Sequence, residues 1–170
     1  MTSNDRQDLL SEEWLLVRHS GEIPEVALHA SLHYLEQDDQ GPKLVLTGEE
    51  RTHLQQAALA RYQEIILRDL DPGNRDRSLF RGIRRANHNW YRYDRFCARS
   101  GWGDQAFRLL ALKALTRYLE LEQGEVCSGT RTPSINCTAE ALLTFVLALG
   151  GNPDSLPPGW ERLCEEQPGG

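Results

Sequence analysis

Lysine is nearly absent from this chain, at two residues against seventeen arginines, and methionine occurs once. Valine and isoleucine together number ten, against twenty-six leucines. Scarcity of β-branched residues beside abundant leucine disfavours strands and favours helices. The longest nearly uncharged apolar run is Ala141–Leu149, far short of the ~20 residues a membrane-spanning helix needs. Residues 1–5 supply no basic region followed by an apolar stretch, so no secretory leader is expected. Four cysteines form neither a C-x-x-C pair nor a dense framework, which fits a reducing, cytoplasmic setting. A Gly-rich phosphate loop, a G-x-S-x-G elbow, a kinase motif set, zinc-finger spacing and an RNP-type motif are all missing. No self-similarity is visible at a period of about 20–50 residues.

What is present describes a folded, mostly helical chain. Its 170 residues are enough for a self-sufficient core. Leu, Ile, Val and Phe make up roughly 24%, above the ~20% below which disorder is expected. Residues 1–10 are polar and expected to fray. Ser11-Glu12-Glu13 opens a short helical pattern ending near Gly21. Pro24 suits the first turn of a second helix to about Gln37; a hairpin pairing Leu32–Leu35 with Leu44–Leu46 is the alternative there. Thr47-Gly48-Glu49-Glu50 reads as a capping box opening a helix to about Leu70, which Asp71-Pro72-Gly73-Asn74 ends. A further helix spans roughly 75–99, stopped by Gly101. The next, 104–122, is apolar most of the way round and is expected to lie centrally, with Gly124 beyond its end. Residues 126–136 read as loop. Thr138 caps a last, very apolar helix that Gly150-Gly151-Asn152-Pro153 breaks. The expected fold is all-α: a single-domain bundle over 11–150 with four principal helices (about 48–70, 76–99, 104–122 and 138–149) packed around the last two. A Pro/Gly-rich tail follows from 151 to 170.

Charge is segregated along the chain. The formal net charge is −6, but residues 75–117 carry +8 and the remainder −14. At a step of about 100° per residue, Arg77, Arg81, Arg84 and Arg85 fall within roughly 100° of arc together with His88, Arg92, Arg95 and Arg99. Leu79, Ile83, Ala86, Trp90, Tyr93 and Cys97 lie opposite. Like charges four apart destabilise a helix by a few tenths of a kcal/mol per pair, so something should offset the repulsion. One solution is internal: carboxylates of neighbouring segments, among Glu12, Glu13, Asp38, Asp39, Glu120, Glu122 and Glu125, lie against the stripe. The other is an anionic partner, which the planar guanidinium fork binds through two oxygens at once. Tyr91, Phe96 and Trp102 flank the stripe. They suit the desolvated centre of a protein contact, or stacking on nucleic-acid bases. An acidic chain with pI ≈ 5.4 favours an acidic protein surface, since nucleic-acid-binding domains usually carry a pI above about 9.

Two smaller constellations carry chemistry. On a helix from Pro24, Glu25, His29, His33 and Glu36 share one face, and histidines at i and i+4 with flanking carboxylates can hold a divalent metal. One helix supplies only part of a ligand set, so a solvated polar face explains the same pattern. Cys137 directly precedes the cap of the last helix, where the helix dipole favours thiolate, with Cys127 as a resolving partner. Inert thiols are the alternative, and Cys97 reads as core. The expected function is a non-enzymatic interaction module that implies no cofactor and no membrane, with the arginine stripe contacting an acidic partner. Nucleic-acid binding through the same residues, and a small metal- or thiol-dependent enzyme, are the alternatives.

Overall fold

The computed structural model describes residues 3–19, 23–38, 41–42, 45–71, 82–101, 105–127 and 137–164. The protein is all-α. Among these residues the α-helices are α1 (Ser3–His19), α2 (Pro24–Glu36), α3 (Gly48–Asp69), α4 (Ile83–Ser100), α5 (Gln105–Cys127) and α6 (Ala139–Ala148). Short 3₁₀ turns follow at Pro153–Ser155 and Trp160–Leu163. The chain divides into two compact units, Met1–Gln63 and Glu64–Gly170. The boundary falls inside α3, where no shift in composition marks it.

In the first unit α1 packs on α2. It begins at Ser3, ahead of the Ser11 start that the sequence pattern implies. Val17, Ala27, Leu28, Leu35, Leu54 and Ala58 are buried here, and Tyr62 is fully so. The ambiguity over residues 24–47 resolves as helix through Glu36. The hairpin that does form is a two-residue antiparallel ladder after it, pairing Gln37 with Pro42 and Asp38 with Gly41. The capping box at the start of α3 is made as its residues imply. The Thr47 hydroxyl accepts from Glu50 N at 3.1 Å, and Thr47 N donates to the Glu50 carboxylate at 2.8 Å. Arg6 of α1 then clasps the same carboxylate through two nitrogens and donates to Val45 O. One side chain thus fixes both the start of α3 and the start of α1.

The second unit is built on α4, α5 and α6. Gly82 precedes α4 with φ 88°, where a Cβ would stand 3.4 Å from the Tyr118 hydroxyl. Gly101 caps its far end in the left-handed region and donates to Cys97 O, as the sequence implies. Trp90, Tyr93 and Phe107 form an aromatic cluster between α4 and α5, with ring centroids 5.1–6.1 Å apart. Phe107, Ala111, Leu115 and Leu119 line the buried stripe of α5, and Leu142, Phe145 and Val146 that of α6. The Thr138 hydroxyl caps α6 by accepting from Ala141 N at 3.2 Å. Gly150 N donates to Leu147 O and Gly151 N to Val146 O, the paired bonds of a Schellman ending.

Two expectations about α5 are corrected. It runs through Gly124 to Cys127, because a lone glycine costs a helix only about 1 kcal/mol and does not stop it. It is also not enclosed on all sides: Leu109, Leu110 and Leu121 are exposed. The buried stripe accounts for one face, and the remaining leucines stand outside it. No helix among the described residues is long and apolar enough to cross a membrane.

Candidate interaction surface

The physics of α4 is a division between two faces. Ile83, Ala86, Trp90, Tyr93 and Cys97 recur at three- and four-residue spacing and are buried, which turns the arginines outward. Arg84, His88, Arg95 and Arg99 are exposed, and Arg85 and Arg92 are half-buried. Tyr91 stands among them at 66% exposure, with the Arg95 guanidinium 5.9 Å from its ring centroid. That stacking holds a planar cation over an aromatic face while both stay accessible. Arg77, Arg81 and Trp102 lie outside the described residues.

Neutralisation of the stripe is local. Arg85 Nε lies 3.8 Å from Asp69 Oδ2 at the end of α3, a carboxylate outside the set the sequence nominated. Among the described residues no ion pair involves Arg84, His88, Arg92 or Arg95. Asp94 faces away and pairs at 3.9 Å with Arg108, whose guanidinium also lies over Trp90 at 6.0 Å. Arg108 is a cation of this region that the helix-face pattern missed, because it comes from the neighbouring helix.

Phe96 is a correction. The periodicity placed it on the rim of the stripe, but it is only 4% exposed. It falls at the border of the apolar arc, next to Arg85 and Arg92. The buried face widens there to enclose the ring, since covering a phenyl side chain gains about 1.5–3 kcal/mol. Those two arginines are the half-buried members of the stripe for the same reason.

The candidate metal face is not assembled. In α2, Glu25 and His29 approach to 3.9 Å, but the Glu36 carboxylate is engaged by Arg51. Among the described residues no group of three or more ligating side chains converges. The candidate thiol is also enclosed: Cys137 is 5% exposed and its Sγ lies 3.5 Å from Thr138 O. The Cys127 side chain lies outside the described residues. Cys97 is core, as expected. Cys164 is half-buried, and burial, with Cys137 and Glu161 nearby, pushes its thiol up to about 11.

The model of a family described as "Repeat of unknown function (DUF7826)" matches residues 5–151. The chain belongs to that family. No curated protein and no solved structure matches it. The family match reaches into both units and takes in α2–α6 whole and α1 from Asp5 onward.

A second surface feature escaped the sequence reading. Asp5, Asp8 and Glu12 of α1 are all exposed, and at 100° per residue they fall within about 60° of arc. Leu15 borders them at 48% exposure. The signal was present as an i, i+3, i+7 spacing, but it was hidden by treating residues 1–10 as frayed.

Proposed function

We propose that this protein is a non-enzymatic interaction module whose α4 face binds an acidic protein surface in a cytoplasmic setting. Helices α3–α6 serve as its scaffold, in the bundle expected from the sequence. The observation that carries this reading is the α4 face itself. Arg84, His88, Arg92 and Arg95 make no ion pair among the described residues, and exposed Tyr91 borders them. Guanidinium forks supply charge-assisted bonds to carboxylates, and a central aromatic supplies the desolvated contact that anchors an interface. Nucleic acid is less well served: with Phe96 buried, Tyr91 is the one described stacking residue of the three, and the chain as a whole is acidic.

Fluorescence anisotropy with a labelled polyglutamate peptide and a labelled RNA oligonucleotide tests the reading. The expected result is salt-sensitive binding of the peptide, weakened ~10-fold or more by Arg84→Glu, Arg92→Glu and Arg95→Glu together. Equal binding by wild type and triple variant refutes it. Tighter binding of RNA, with log K falling linearly in log salt, moves the assignment to nucleic acid.

A further inference from the structure

The acidic partner can be named more closely, on the premise that the α4 face is an acid-binding surface. Three observations converge. The family is a repeat, and in repeat architectures each unit finds its neighbour in another copy. The chain is split in charge, +8 over residues 75–117 and −14 elsewhere, so each copy carries both halves of a complementary pair. And α1 presents Asp5, Asp8 and Glu12 along one exposed strip; among the described residues no ion pair involves Asp8 or Glu12.

We propose that the α4 arginine face docks the α1 acidic face of a second copy of this same unit. The dimensions agree. At 1.5 Å per residue, Asp5 to Glu12 covers about 10 Å and Arg84 to Arg95 about 16 Å, so the acidic strip fits within the basic one. Each strip is bordered by one exposed apolar side chain, Leu15 at 48% and Tyr91 at 66%, which add apolar area to the edge of such a contact. Each copy carries both faces, so every copy can give one and take one in such a contact. Copies joined in one chain would make it at the ~mM effective concentration that a short linker imposes.

Sedimentation equilibrium of the purified protein, up to ~1 mM and at ~0.05 M and ~0.5 M NaCl, tests this. The expected result at low salt is a weight-average mass that rises with concentration above that of the monomer, reverting toward monomer at high salt. Two variants separate the faces: Arg84→Glu/Arg92→Glu/Arg95→Glu keeps α1 intact, and Asp8→Arg/Glu12→Arg keeps α4 intact. Each alone should associate ~10-fold more weakly or less than that detectably, with an unchanged circular dichroism spectrum, and an equimolar mixture should restore association. A wild type that stays monomeric at every concentration overturns the proposal, as does self-association that neither variant weakens or a mixture that stays monomeric. If wild type is monomeric while polyglutamate binding still depends on the three arginines, self-docking falls and the acid-binding reading stands. If both are absent, both fall.

Discussion

Replacing Glu50 by glutamine probes the contact on which the first unit closes. Arg6 holds this carboxyl down to about 2 from 4.5, with burial opposing and the Thr47 backbone and hydroxyl bonds assisting. That gap corresponds to at most about 3 kcal/mol of stability carried by the ionised carboxylate. The Glu50 side chain is 16% exposed and that of Arg6 30%, so solvent screens the pair and about 1–1.5 kcal/mol is the expected loss in Glu50→Gln at neutral pH. The sign with pH follows from the depressed value. The contribution is complete above 4.5 and disappears as the pH falls toward 2, because the folded state must then take up the proton that the unfolded state already binds. Less than half should remain at about pH 3. Urea unfolding followed by far-UV circular dichroism, wild type against variant at about pH 7 and about pH 3, reads the difference directly. A deficit of the same size at both pH values, or no deficit at pH 7, would refute the assignment of this carboxylate as the charged clasp.

Other perturbations separate the remaining structural claims. Phe96→Ala should lower stability by about 3–5 kcal/mol; a variant of wild-type stability that only loses partner binding would return Phe96 to the rim. Leu115→Ala, at a fully buried site on α5, should cost about 2–5 kcal/mol in chemical denaturation. Gly151→Ala sets a Cβ 2.7 Å from Leu112 Cδ1 and 3.0 Å from Val146 Cγ1, and a lower Tm by calorimetry is the expected outcome, since fully buried, β-branched Val146 yields less readily than the leucine tip. For Cys164, alkylation by iodoacetamide in the native protein should accelerate only as the pH approaches about 11; a rate that levels off near pH 8.5 would show the thiol to be more solvated than the structure has it.

Much of the local structure was legible in the residues. Thr47 and Glu50, Thr138, Gly101 and the Gly150-Gly151 pair act where the chain places them, because caps and left-handed endings depend on side chains within a few positions of the backbone they satisfy. The two-faced character of α4 was legible for the same reason: helical periodicity is a local property, and an arc of arginine opposite an arc of isoleucine, tryptophan and tyrosine has one sensible orientation. Tertiary structure decided the rest. Phe96 sits at the boundary of that arc, where one step of 100° cannot say how far a neighbouring element reaches. Asp69 meets Arg85, and Arg108 meets Asp94, from the helices before and after α4, and no spacing rule within one helix connects them. Leucine content alone made α5 look central, whereas the number of packed neighbours left three of its leucines outside. Glu36 shared a face with His29 and His33 on paper, but Arg51 of the next helix claimed its carboxylate first. Sequence settles what each helix offers on its surface; which offers are taken up internally, and which stay open to a partner, depends on contacts that only the folded chain makes.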